Sequence, residues 1–243
     1  MSSPTSAADR RTFAAVASAP SLDVHVPTCP EWTLSDLVQH LGERRHFWAA
    51  TVAAGPADAP PAETGAPVAP RDRETMLAWP AESTEQLLGA LRASGPDRGC
   101  WTWWGASQSP QASGAVARHQ LQEIAMHTYD AQLTVGAPQP LPDEVALDGV
   151  DEFLSICCAT TSPWPHKPTA VDFHTTEGRS WRLSLSADGA RATGLPAPAT
   201  AADASARGTA GELVPGLYGR IPLDSLKPDG DRGLVDLLQE PEE

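Results

Sequence analysis

Leu34, Leu37, Val38 and Leu41 repeat at the three-and-four spacing of a buried helix face, directly behind Thr33, and Asp36 stands three residues beyond that threonine. The pattern predicts a helix opened by a capping box and running to about Ala54. An Ala-rich stretch from 6 to 18, ending before Ala19-Pro20, predicts a helix ahead of it. Between the two, the segment from Val24 to Trp32 holds Pro27 and Pro30, which exclude helix and predict a short extended link. Gly55 to Pro70 is rich in Pro, Ala and Gly with little to bury, which predicts a surface loop. A third helix is expected from Arg73, broken at Trp79-Pro80, restarting at Ser83 with Gln86 as its capping partner, and ending at Ser94-Gly95-Pro96. Val116, Leu121, Ile124, Ala125, Ala131 and Leu133 give a further helix whose apolar stripe is untidy. Leu141-Pro142 followed by Asp143-Glu144 starts another, expected to run through Cys158.

Beyond residue 170 the period shortens to two. Val171 to Thr175 and Trp181 to Leu185 alternate apolar with polar across the turn residues Glu177-Gly178, and Ala187-Asp188-Gly189 turns toward a third strand near Arg191 to Leu195. Thr209 with Glu212 repeats the capping-box signature and starts a helix toward Tyr218, and Gly233 to Leu238 suggests a last one. The fold class expected is α+β: a helical bundle over 1–160, a linker over 161–169 containing three prolines, and a small α/β domain over 170–243.

The formal net charge of −14 disfavours a nucleic-acid-binding surface, which needs a basic patch to displace counterions. No stretch approaches the roughly 20 apolar residues of a membrane span, and the first ten residues lack the charged start and apolar core of a signal peptide, so a cytoplasmic protein is expected. Cys29, Cys100, Cys157 and Cys158 have neither zinc-ribbon spacing nor disulfide-scaffold density and are read as reduced thiols. Neighbouring Cys157 and Cys158 point in different directions on a helix, which favours small buried residues over a redox pair.

The chemistry concentrates in His119-Gln-Leu-Gln-Glu123-Ile-Ala-Met-His127-Thr-Tyr-Asp130. Four helical residues advance about 6 Å and nearly complete a turn, so Glu123 and His127 point the same way. With His40 from the capped helix they make two imidazoles and one carboxylate, the donor set of a catalytic zinc that keeps a position open. His119 is excluded as a partner of His127, because eight residues span about 12 Å of helix axis. Asp130, three residues beyond His127, is placed to accept that imidazole's N–H, or to cap a neighbouring helix, or to face water. Trp101, Trp103 and Trp104 either line a cleft or fill a core.

Val26-Pro-Thr-Cys-Pro-Glu-Trp32-Thr-Leu-Ser-Asp-Leu-Val-Gln-His40-Leu-Gly42, the Glu123/His127/Asp130 run, and Arg207-Gly-Thr-Ala-Gly-Glu-Leu213 with Leu217-Tyr-Gly-Arg220-Ile-Pro-Leu223 resemble the mycothiol-dependent maleylpyruvate isomerase family, over nearly the whole chain and in the expected order. The resemblance implies a DinB-like four-helix bundle joined to a small α/β domain similar to sterol-carrier folds. It also implies metal ligands His40, Glu123 and His127, a divalent metal such as zinc, mycothiol as the thiol, and Arg220 as an arginine contributing to catalysis. Thr128 departs from the basic residue expected after the second histidine, and the Trp-rich and Cys-Cys segments are not family features.

A metal-held thiol loses its proton at neutral pH. The thiolate then adds to an electrophilic small molecule. Elimination after bond rotation gives cis–trans isomerisation of a substrate such as maleylpyruvate; retention of the thiol gives S-transfer. Hydrolysis by metal-bound water and a non-catalytic metal- or ligand-binding module are the alternatives. Thiol dependence separates the first pair from the hydrolase.

Overall fold

The computed structural model describes residues 4–62, 68–70, 72–196, 201–236 and 238. The chain packs as two units, one of residues 1–103 with 110–139 and one of 104–109 with 140–243.

Among the described residues the first unit holds four helices, α1 (Pro4–Ser18), α2 (Leu34–Ala54), α3 (Arg73–Ser94) and α4 (Ser113–Thr134), with a small hairpin between the first two. The closest pairings are α2 with α3 and α1 with α4. Leu34, Leu37, Val38 and Leu41 are all buried and join Val16, Met76, Ile124 and Ala131 in the core. Each such side chain contributes about 1.5–3 kcal/mol by leaving water. The expected capping box at Thr33 and Asp36 is present, and its hydrogen bonds hold the Asp36 carboxyl below its ordinary value.

Helix α3 differs from its expected form. It runs through Pro80 without a break, and Ser83 and Thr84 turn their hydroxyls back onto the Pro80 carbonyl, at 3.0 and 2.8 Å, so Ser83 caps nothing. Packing on α2 outweighs the proline's lost hydrogen bond. The contact is close at Gly42, where an added Cβ would overlap the Trp79 indole. Gly42→Ala is therefore expected to lower stability by about 1–3 kcal/mol through overpacking, despite alanine's better helix propensity, as a drop in the thermal midpoint would show.

The segment expected as an extended link folds into a hairpin of β1 (His25–Val26) and β2 (Cys29–Thr33), antiparallel and closed by Pro27-Thr28. Amides of Leu34 and Ser35 bond to Val24 and Leu22 carbonyls, each at 3.0 Å, tying the hairpin to the start of α2. Of the expected loop from Gly55 to Pro70, residues 63–67 lie outside the described residues; the rest carries no helix or strand.

The second unit begins earlier than the expected linker. Helix α5 (Asp143–Phe153), read from sequence as part of the bundle, packs instead on α6 (Ala210–Leu217), with Tyr218 Oη donating to Glu152 at 3.1 Å and the Phe153 and Tyr218 rings edge to face. A π-helical turn, Leu154–Cys158, follows, closed by Ala159 N–H on the Leu154 carbonyl. It leaves Cys157 exposed and Cys158 half-buried rather than both inside, and burial pushes the Cys158 thiol up to about 12.

The sheet holds β3 (Thr169–Thr175), β4 (Ser180–Ser186), β5 (Gly189–Gly194), β6 (Ala204–Gly208) and β7 (Asp229–Gly230), in the order β5-β4-β3-β6-β7. Strands β3 to β5 form the antiparallel meander expected from the alternation, with Val171, Phe173, Trp181, Leu183 and Leu185 on the buried face. Strand β6 was not legible in advance. Ala204, Ser205, Ala206, Arg207 and Gly208 carry no bulky apolar residue, yet they pair parallel to β3 in the middle of the sheet. The capping box at Thr209 and Glu212 starts α6 as expected, and α7 (Arg232–Asp236) covers most of the last expected helix, of which residue 237 is outside the described set.

Candidate metal centre

Helices α2 and α4 bring the three expected ligands together. His40, Glu123 and His127 each offer a donor atom, and these atoms lie within 4.8 Å of one another. The anchors are local. The Thr33 cap and the buried leucines fix the rotation of α2, and one turn of α4 separates Glu123 from His127.

His40 Nε2 lies 3.2 Å from Glu123 Oε1. Two donors, each about 2 Å from one tetrahedral ion, would be roughly 3.3 Å apart, so an ion could replace the proton between them with little movement. Burial pushes the Glu123 carboxyl up. The hydrogen bond from His40 and the fields of His119, His127 and His40 outweigh that and hold it at about 2, so it is a carboxylate at neutral pH. Its second oxygen accepts from Gln120 Nε2, and the Arg44 guanidinium stands 4.0 Å from the first.

The buried His127 is oriented by a buried aspartate. Its Nδ1 lies 2.9 Å from Asp130 Oδ2, and the other Asp130 oxygen accepts from Thr28 Oγ1 at 2.6 Å. A carboxylate only accepts, so Nδ1 carries the proton and the Nε2 lone pair is left for a ligand. This is the placement expected of an aspartate behind a metal-binding histidine. The Trp32 indole covers both imidazoles, its centroid 4.6 Å from that of His40 and 5.8 Å from that of His127.

Three contributors were missed as such in the sequence. Thr28 sits at the hairpin turn and Trp32 on its second strand, so both reach the site only because the proline segment folds back. Arg44 lies one turn after His40 on α2, a spacing that points to the same helix face but not to its partner on α4. His119, excluded as a ligand by distance, packs its ring against Trp48 and Trp103. Trp101 and Trp103 belong to this unit, whereas Trp104 is buried in the other.

Arg220 also lies in the second unit. It is half-buried, its Nη1 donates to the Tyr218 carbonyl at 2.7 Å, and its guanidinium carbon is 6.0 Å from the Tyr218 ring centroid.

Comparison with known families agrees with this anatomy. The family model described as the Mycothiol maleylpyruvate isomerase N-terminal domain matches residues 4–132. The chain belongs to the mycothiol maleylpyruvate isomerase family. The model described as the MDMPI C-terminal domain matches residues 144–237, so both parts of the family architecture are present in order. No curated protein matches the chain in sequence. Among the described residues no helix is long and apolar enough to cross a membrane. Within the family, the donor set on α2 and α4 fits a divalent ion by chemistry as well as spacing. Two imidazoles and a carboxylate suit zinc, and an aspartate accepting from Nδ1 of one imidazole selects the tautomer whose Nε2 lone pair can bind a metal.

Proposed function

We propose that this member of the mycothiol maleylpyruvate isomerase family is a metal- and mycothiol-dependent enzyme acting on an electrophilic small molecule, by cis–trans isomerisation or by S-transfer. The observation that carries the reading is the convergence of His40, Glu123 and His127 within 4.8 Å, with the Asp130 carboxylate fixing the His127 tautomer. A divalent ion held by these three residues would stabilise the thiolate form of a thiol at neutral pH.

The chain's own residues do the rest. His40 and His127 supply neutral donors, Glu123 supplies one negative charge, and Asp130 with Thr28 keeps His127 from rotating. The Trp32 ring over both imidazoles limits access of water on that side, which strengthens electrostatic interactions within the site. Arg220, assigned through its place in the Leu217-Tyr-Gly-Arg220-Ile-Pro-Leu223 motif, is the proposed cation for a substrate carboxylate in a chain of net charge −14.

Calorimetric titration of mycothiol into zinc-loaded protein, with Glu123→Ala as control, tests the reading. Saturable binding that requires zinc and disappears in the variant is the expected result. No binding by folded, zinc-loaded protein would overturn it and shift the assignment to a hydrolase or a binding module.

A further inference from the structure

Gln120 holds a place that neither the donor set nor the apolar core of the bundle explains. It stands one helical turn before Glu123 on α4 and is only 5% exposed. An apolar side chain would fill the same space. The amide adds a donor, and that donor is committed: Gln120 Nε2 bonds to Glu123 Oε2. A glutamine three residues from a carboxylate on one helix lies on the same face, so the contact is made within α4 and does not depend on α2.

The two oxygens of Glu123 therefore face different partners. Oε1 meets α2, 3.2 Å from His40 Nε2 and 4.0 Å from Arg44 Nε. Oε2 turns back along α4 onto the Gln120 amide. A carboxylate can hold a cation through one oxygen or through both. The difference matters where the protein supplies three ligands, because a second oxygen takes up the position otherwise left for an incoming group. Ligation through both oxygens would turn Oε2 toward the ion and away from Gln120, at the expense of a charge-assisted hydrogen bond in a buried place. Ligation through Oε1 alone keeps that bond, and Oε1 is the oxygen already beside His40.

We infer that Gln120 is a positioning residue that makes Glu123 a one-oxygen ligand and so keeps a coordination position for the thiol. The inference rests on the reading of His40, Glu123 and His127 as metal ligands and adds to it the way in which the carboxylate binds. Gln120 acts through Glu123 alone, as an outer partner that fixes the orientation of an inner one.

The test uses cobalt(II)-loaded protein, whose visible bands weaken when a fifth ligand joins four, and 2-mercaptoethanol as the probe thiol. Wild type is compared with Gln120→Met and Gln120→Leu, two apolar residues close to glutamine in size; circular dichroism checks that each is folded. Wild type is expected to show the strong bands of four-coordinate cobalt and to gain a near-ultraviolet sulfur-to-cobalt band as the thiol binds. Both variants are expected to show the weaker five-coordinate bands and to bind the thiol about tenfold less tightly. Bands and thiol affinity unchanged in both variants would overturn the inference and leave the metal reading in place. Failure of wild type to bind cobalt would overturn both. If the variants' bands weaken but wild type takes up no thiol, the thiol reading falls and the role of Gln120 stands.

Discussion

Asp130→Asn is expected to weaken divalent-metal binding by about 10–100-fold while the bundle stays folded. The asparagine is nearly isosteric, so the fully buried position remains filled. What changes is the information it gives His127. A carboxylate accepts from Nδ1–H and from the Thr28 hydroxyl, which leaves Nε2 as the lone-pair nitrogen. An amide can rotate to present its NH2 group to Nδ1, and that would stabilise the opposite tautomer, with the proton on the nitrogen a metal needs. His127→Ala deletes one of the three proposed ligands outright and is expected to exceed the loss in Asp130→Asn, reaching more than a hundredfold. Competition against a chromophoric chelator measures both, with circular dichroism to verify folding. Equal affinity in wild type and His127→Ala would mean that the three donors are structural, and the proposed function would fall with them.

Asp172→Ala is expected to destabilise the second unit by about 3–5 kcal/mol, the largest stability loss anticipated for a single side chain here. Asp172 and Arg182 face each other directly across β3 and β4. Arg182 Nε donates to one carboxylate oxygen at 2.7 Å and Nη2 to the other at 2.8 Å, and both side chains are largely buried, at 16% and 6% exposure. Removing the carboxylate leaves a guanidinium with little water to replace it. Arginine cannot shed its charge to escape the cost. The hydrogen bonds it donates to Asp172 in fact raise its pKa further. Chemical denaturation followed by intrinsic tryptophan fluorescence and circular dichroism checks the value, and Asp172→Ala with Arg182→Met should recover part of it, because the unpaired charge is then gone. A loss below 1 kcal/mol in the single variant would show that water reaches the pair.

The helices and the meander were legible where local physics decides. Thr33 and Thr209 each recruit a carboxylate three residues on, and both boxes form, because a cap is satisfied within one turn of chain. The β3 to β5 alternation is legible because one face of that sheet is buried. Helix α4 was harder for an instructive reason. Its buried face includes Gln120, Gln122, His127, Thr128 and Asp130, so the residues that suit it to a site are the ones that blur its apolar stripe. Pro80 misled in the other direction. The rule for an isolated helix predicts a break, whereas α3 draws its stability from packing against α2.

From the sequence alone one can obtain the donor types, their spacing along α4, the capped helix bearing His40, and the two-part α+β order, since each depends on contacts within a few residues. The tertiary structure alone decided that α5 packs on α6 in the unit that holds the sheet, that small-residue β6 sits beside β3, and that a hairpin carries Thr28 to Asp130 and Trp32 over the histidines. It also set Arg44 beside Glu123. Those outcomes depend on pairings between segments about 30 to 100 residues apart, where many partners compete and the free energy of each choice lies in packing and desolvation, which a local pattern does not encode.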